Sequence, residues 1–351
     1  MAFNALFPGI TNQVFTFNAP GFFEGSSGNQ AFFATLGGAI PTEANSGNVT
    51  NVIADEAGIG DAPWTAIAGL GSRPGIDLNI PIENQWLSDE PQPESAKNHS
   101  IRPLTDSLAV FDLLTELAPT LSVIDYKLIL NQAAAGTAAS YERLIDGLNG
   151  LFGWYGALPV GNSNRDALYN GLYDLQADVG FTAVAGRLQI IPAGTNPVAL
   201  AGSALDGIDA MAYRYAIREL NPFVVLGDNG IYDLHNVDGS LDLYDGGLGV
   251  GMTAEYIKAR AELLNWKSQS FTNNGETLRS KDLLNATYID KTQKDISGSD
   301  LTFTVVGRQR STADTKIVFG SEQSETIAGG DVFIGDRLFG GNGNDTLIGN
   351  G

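Results

Sequence analysis

Glycine and aspartate residues close to residue 351 are spaced as they would be in a metal-binding turn. Residues 340–348 read GGNGNDTLI, with glycine at 340, 341 and 343 and a carboxylate at Asp345. Glycine adopts the backbone angles that a tight turn requires. Carbonyl and carboxylate oxygens are the ligands that Ca²⁺ prefers, about 6 to 8 for each ion. We therefore expect a calcium site in this segment.

The segment is one of three imperfect copies. Residues 320–328 read GSEQSETIA, and residues 329–339 read GGDVFIGDRLF with two extra residues. The nine-residue pattern resembles that of repeats-in-toxin (RTX) proteins, whose parallel β-roll binds Ca²⁺ between successive turns through glycine carbonyls and aspartates. That resemblance implies that one turn supplies half a site. The candidate metal-site residues are Gly340, Gly341, Asn342, Gly343, Asp345 and Asp336.

Two features of the repeat leave alternatives open. The insertion breaks the spacing at Asp331 and Asp336, so we expect these to be weaker ligands than Asp345, and Glu325 replaces aspartate in the first copy. An aspartate in a Gly-Asn-Asp turn can also be a solvated turn residue that binds no metal. Both interpretations of Asp345 stand at this point.

A second chemistry depends on histidine, of which the chain has two. Acyl transfer needs a nucleophile, a base and an acid that orients the base, in the chain order Ser, Asp or Glu, His in α/β-hydrolases. His99 lies in a polar loop before a strongly patterned helix and follows an apolar run that ends at Asp55, so Asp55 and His99 suit the last two places. Asp61 is the alternative acid. His235 lies far beyond them, and we interpret it as a solvent-exposed loop residue.

Longer stretches carry a resemblance that agrees with this order. AFNALFPGITNQVFTFNAPGF (residues 2–22) resembles the segment after the nucleophile in α/β-hydrolase lipases of the RTX group. NHSIRPLTDSLAVFDLL (residues 98–114) resembles the segment that carries their triad histidine. The resemblance implies that His99 is a catalytic base, that Asp55 or Asp61 is its acid, and that the intact protein acts on a lipid or another ester.

The nucleophile is where the sequence departs from that family. No Gly-x-Ser-x-Gly turn occurs in the 351 residues. Loss of a triad nucleophile lowers the rate by about 10⁶-fold, so we expect this chain not to hydrolyse esters measurably. We interpret it as a fragment truncated at both ends, and we expect poor solubility because the central strands of the sheet would be missing.

The elements that must position these residues form four regions. Residues 1–119 alternate apolar strand and helix patterns and predict part of an α/β-hydrolase domain. Residues 120–267 predict a helical extension, with Thr253 as a helix cap. Residues 268–319 predict a connector with short strands, in which the polar residues 268–300 are the connector and the short strands follow them. Residues 320–351 begin an RTX parallel β-roll. In residues 102–119 the stripe of Leu104, Leu108, Phe111 and Leu114 predicts a helix that starts near Thr105 or Asp106 and ends before Pro119.

Composition limits the partners. The chain has 40 acidic and 20 basic residues and a formal charge of −20, which repels nucleic acids and anionic membranes and attracts cations. It has no cysteine, and no apolar run is long enough to cross a membrane. The RTX and lipase resemblance, together with this composition, implies a calcium-binding fragment of a secreted, extracellular lipase-like hydrolase that a type I apparatus exports. The alternative is a non-catalytic calcium-binding structural or adhesion module.

Overall fold

The protein is described here from a computed structural model. The described residues are 10–18, 27–36, 38, 46–56, 74–82, 101–133, 141–154, 165–191, 198–202, 207–227, 230–272, 278–279, 285–294, 299–308, 314–330 and 335–349. Over these residues the fold is mixed α/β, with ten helices and eleven strands. The chain divides into two compact units, Met1–Asp112 with Ser122–Lys127, and Leu113–Leu121 with Leu128–Gly351. None of the described helices is both long enough and apolar enough to span a bilayer.

The first unit contains a three-stranded parallel sheet. Its strands are β1 (Val14–Phe17), β2 (Val49–Glu56) and β3 (Ile76–Ile82), in that spatial order. Helix α1 (Ser27–Thr35) lies between β1 and β2 in the sequence. The side chains of Val49, Val52 and Ile53 are buried, which is typical of an apolar strand covered on both faces.

Two helices follow the sheet in the sequence, α2 (Ile101–Leu117) and α3 (Val123–Ala133). Helix α2 was predicted to start near Thr105 or Asp106, and that start is wrong. The Thr105 hydroxyl donates to the Ile101 carbonyl at 3.0 Å within the first turn of the helix, so it does not cap the helix. Helix α3 begins with a capping box, because the Ser122 and Asp125 side chains each accept the other's backbone N–H at 3.1 Å.

Helices make up most of residues 141–272 in the second unit, as the sequence predicted. They are α4 (Tyr141–Leu151), α5 (Asp166–Ala177), α6 (Val179–Ala183), α7 (Val198–Ala201), α8 (Gly207–Glu219), α9 (Gly230–Asp233) and α10 (Ala254–Thr272). The predicted cap of α10 is confirmed, since Thr253 Oγ1 accepts the Tyr256 N–H at 3.1 Å. Two short antiparallel strands were not predicted, β4 (Leu188–Ile190) and β5 (Phe223–Val225).

The strands of residues 285–348 form two further sheets. Strands β6 (Asn285–Lys294), β7 (Asp300–Val305) and β8 (Asp314–Phe319) are followed by β9 (Thr326–Ala328), β10 (Arg337–Phe339) and β11 (Thr346–Ile348). One sheet has the order β10-β8-β6-β7, and the other pairs β11 with β9. The interpretation of residues 268–300 as connector is therefore wrong for β6, a ten-residue strand at the centre of a sheet.

Candidate metal centre

Parallel pairing stacks the repeats of residues 320–345. We call residues 320–325 the first turn, the described residues 329–330 and 335–336 the middle turn, and residues 340–345 the third turn. Thr346 pairs with Thr326 and Arg337 pairs with Ile317. Each of these short strands, which we call rungs, therefore lies beside the strand that comes twenty residues earlier in the sequence. The Gly320 N–H donates to the Phe339 carbonyl at 2.7 Å. The third turn therefore lies directly over the first turn, and the middle turn lies at the other end of the rungs.

The glycines of the third turn are needed for two physical reasons. Gly341 and Gly343 have φ angles of 86° and 107°, which side chains rarely tolerate. A Cβ on Gly341 would lie 2.9 Å from the carbonyl oxygen of Gly320, and a Cβ on Gly340 would lie 2.6 Å from Asp345 Oδ2. The turns can stack this closely only because the side chains are absent.

The two aspartates at the end of the middle and third turns occupy equivalent places. Asp345 Oδ1 accepts the N–H of Glu325 at 2.9 Å, and Asp336 Oδ1 accepts the N–H of Lys316 at 2.8 Å. Each bond spans twenty residues. Asp336 Oδ2 also accepts the Gly330 N–H at 2.7 Å. The two-residue insertion therefore leaves Asp336 in the place that Asp345 has in its own turn, although the sequence spacing predicted a weaker position; Asp331 lies outside the described residues.

The oxygen atoms beside Asp345 meet only part of what Ca²⁺ requires. Main-chain oxygens of Gly320 and Ser321 lie against Gly341, so the seam between the two turns is lined with carbonyls. Over the described residues, no group of three or more acidic, histidine or cysteine side chains surrounds one point. Ca²⁺ at this seam would thus take most of its ligands from the main chain. Over the described residues, one carboxylate and a few main-chain oxygens thus supply fewer oxygens than the 6 to 8 that Ca²⁺ binds.

The carboxylate stacked beneath Asp345 belongs to Glu325, and it already has a cationic partner. Glu325 Oε2 lies 2.6 Å from the ammonium nitrogen of Lys291 in β6. Its other oxygen accepts the Ser321 N–H. The hydrogen bond from Lys291 holds the pKa of the Glu325 carboxyl below its usual value. Sequence reasoning missed Lys291, because it lies 34 residues away in a segment that was interpreted as connector.

Aromatic side chains attach the first rungs to helix α10. The Phe319 and Phe339 rings stack with centroids 5.2 Å apart and planes 7° apart. Tyr256 meets both rings edge-on, at 5.8 Å and 5.4 Å. The guanidinium of Arg260 lies 4.8 Å from the Phe319 centroid and donates to Asp290 Oδ2 at 2.6 Å, with both charged side chains fully buried. These contacts fix where the first and third turns begin.

A cleft of about 390 Å³ borders the third turn. Gly340, Gly341 and Asn342 form one side of it, and Ser240 and Tyr244 form part of the other. The Asn342 amide donates to Glu322 of the first turn across the stack. These two side chains of the cleft are thus engaged with each other.

The catalytic candidates are described only in part. Asp55 lies at the next-to-last position of β2, opposite Pro81 of β3, at the carboxyl end of the parallel sheet. His99 and Asp61 lie outside the described residues. The structure therefore neither brings these three residues together nor separates them.

His235 differs from its interpretation as a solvent-exposed residue. Its ring is half-buried, lies 4.4 Å from the Tyr215 ring and makes a 3.0 Å hydrogen bond with the Leu151 carbonyl. Burial lowers its pKa below the ordinary value. The exposed-loop interpretation is wrong because the turn after α9 packs this side chain between α4 and α8.

No family model matches the chain, and no curated protein and no solved structure matches it either.

Proposed function

We propose that residues 320–345 are the calcium-binding turns of an RTX-type β-roll. The observation that carries the proposal is the equivalent placement of Asp336 and Asp345. Each carboxylate accepts a hydrogen bond from a backbone N–H twenty residues earlier in the sequence. Each also lies against the first glycine of its own turn, at a position where a Cβ does not fit. A repeated cradle of glycines, carbonyl oxygens and one carboxylate per turn is the donor set that a hard cation requires.

The residues that would hold the ion on the third turn are Gly340, Gly341, Asn342, Gly343 and Asp345, through main-chain oxygens and one carboxylate. Asp336 has the same role on the middle turn. Calcium sites with few charged ligands have dissociation constants of about 10⁻⁴ to 10⁻³ M, the range of extracellular modules. We therefore propose that the site works outside the cell, and the RTX resemblance implies a secreted protein exported by a type I apparatus.

Calcium titration by calorimetry tests this proposal. The wild-type chain is expected to bind Ca²⁺ at about millimolar concentration, and Asp345→Asn is expected to weaken that binding by about tenfold or more because the carboxylate is lost. The matched control is Asp174→Asn, since Asp174 is an exposed aspartate of helix α5 and does not line the cleft that borders the third turn. Binding that is the same in all three proteins would overturn the proposal.

A second candidate function concerns the first unit, and the order of its sheet favours it. Strands β1, β2 and β3 are parallel neighbours in chain order. In an α/β-hydrolase the last strands of the sheet have this arrangement, and the triad acid follows the carboxyl end of one of them. Asp55 lies at the carboxyl end of β2. We propose that this unit comes from a lipase-like serine hydrolase that cleaves carboxylic esters, with His99 as the base and Asp55 or Asp61 as the acid.

An ester assay tests the second candidate. The chain itself contains no Gly-x-Ser-x-Gly turn, so we expect no turnover of a nitrophenyl ester above the buffer rate. A longer protein that supplies such a serine should lose activity on His99→Ala and on replacement of only one of the two aspartates. Turnover by the 351-residue chain that disappears in His99→Ala would contradict the assignment of a missing nucleophile.

A further inference from the structure

The first turn carries a cation of its own. We propose that the Lys291 ammonium occupies the place that Ca²⁺ would take beside Glu325, so that the first turn forms without calcium and the seam above it is held by an ion pair. The part of this inference that concerns calcium rests on the proposed function. The part that concerns the ion pair does not.

The geometry of β6 places Lys291 beside the turn. The last pair of the β6 and β8 ladder is Asp290 with Phe319, so Lys291 comes one residue beyond it, opposite the position where the first turn starts. Its ammonium reaches Glu325 Oε2 at 2.6 Å, and the two side chains are 24% and 18% exposed. The pair is therefore mostly sheltered from water, where an ion pair is screened less than on the surface.

Glu325 links this cation to both stacked turns. Its Oε1 accepts the Ser321 N–H within the first turn, and its own N–H donates to Asp345 Oδ1 in the third turn at 2.9 Å. The Thr346 N–H donates to the Glu325 carbonyl at 2.9 Å. One residue, neutralised by one lysine, thus connects the backbone of both turns. That is the role that the shared metal ion has in the β-roll arrangement.

The replacement of aspartate by glutamate at 325 agrees with this role. In the other two turns the equivalent residues are the aspartates Asp345 and Asp336. Both accept hydrogen bonds from backbone N–H groups, and no ion pair to either of them occurs among the described residues. An aspartate side chain is shorter than glutamate by one C–C bond, about 1.5 Å. Glutamate therefore has the additional reach toward β6. A divalent ion at this carboxylate would have to displace the ammonium, because two cations cannot share it without strong repulsion.

Two variants of the 351-residue protein separate the ion pair from its control. Lys291→Met removes the ammonium and keeps most of the apolar stem. Lys294→Met is the matched control in the same strand, since Lys294 pairs with Asp300 at an exposed site. In the presence of chelator, hydrogen exchange at residues 321–325 is expected to be about 5- to 10-fold faster in Lys291→Met than in wild type. The exchange rate is expected to equal that of wild type in Lys294→Met. It is also expected to equal that of wild type in Lys291→Arg, because arginine keeps the positive charge.

Calcium titration of the same proteins completes the test. Lys291→Met frees the Glu325 carboxylate over the carbonyl-lined seam, so it is expected to gain calcium binding relative to wild type. Lys291→Met/Glu325→Gln should lose that gain. Unchanged exchange in Lys291→Met overturns the ion-pair role. No calcium gain in Lys291→Met overturns the assignment of a displaced ion, even if wild type binds through Asp345. A gain in Lys291→Met with no binding by wild type supports an ion site at Glu325 that Lys291 occupies, and it refutes the proposed binding of calcium through Asp336 and Asp345.

Discussion

Replacement of Asp290 by asparagine should loosen the helix that supports the repeats. Asp290 lies in β6 and pairs with Arg260 of α10, both fully buried, at 2.6 Å. Asparagine keeps the size of the side chain and removes only its charge. Because the guanidinium stays buried, the variant has a cation without a counter-charge in the core of the second unit.

The structure indicates how much the free energy of opening of α10 falls in Asp290→Asn. Removing one partner of a buried pair destabilises a protein by about 3 to 5 kcal/mol. Arg260 retains the carbonyls of Ile217 and Arg218 as acceptors, which limits the loss. Asp290 also stabilises the charged form of a second buried cation, Lys267. The loss of the Asp290 charge therefore destabilises that cation as well and increases the total loss of stability. We therefore expect the free energy of opening of α10 to fall by about 3 to 5 kcal/mol.

Native-state hydrogen exchange of α10 measures this free energy without assuming that the two units unfold together. Asp300→Asn is the control, because its pair with Lys294 is exposed and should contribute less than about 1 kcal/mol. The double variant Arg260→Met/Asp290→Leu, which leaves no buried charge from the pair, should be less destabilised than Asp290→Asn. A loss below about 1 kcal/mol in Asp290→Asn would refute this account of the core.

Two further predictions concern backbone strain and pH. Gly341→Ala should destabilise the repeats by more than Gly186→Ala destabilises its own turn, since both glycines have positive φ (86° and 76°) but only Gly341 has carbonyls within 3 Å of a Cβ position. Thermal unfolding of the two variants checks this, with about 1 to 2 kcal/mol expected for Gly186→Ala from φ alone. Burial lowers the pKa of Lys267 from 10.5 to about 8, so the unfolded chain binds more protons between these values and stability should rise with pH from about 8 to 10.5. Lys267→Met should abolish that rise, as measured by urea unfolding at several pH values across this range. An identical pH profile in the variant would contradict the lowered pKa of a buried amine at Lys267.

Periodicity and capping predicted much of the fold. The apolar runs at β1 and β2 form parallel strands, and the Thr253 cap of α10 is confirmed. Strand β6 was missed because seven of its ten residues, NATYIDKTQK, are polar, although Tyr288 and Asp290 point inward and are buried. An inward aspartate fits a strand only when a partner such as Arg260 neutralises it, and that partner is 30 residues away. Local pattern cannot supply this information.

The same limit applies to the candidate site. Glycine spacing identified the third turn, because three glycines and an aspartate in nine residues are a local signal. The equivalence of Asp336 depends on register, since the twenty-residue pairing of β10 with β8 restores the alignment that the insertion breaks in the sequence. The ion pair of Lys291 with Glu325 depends on the position of β6 in the sheet.

Hydrogen exchange of residues 335–349 with calcium and with chelator tests the central claim most directly. If Asp336 and Asp345 hold Ca²⁺ with the glycine carbonyls, about millimolar Ca²⁺ should slow exchange in these residues and leave helix α4 unchanged. Replacement of both aspartates by asparagine should remove the difference. Exchange that is the same with calcium and with chelator in the wild-type chain would contradict calcium binding by these turns.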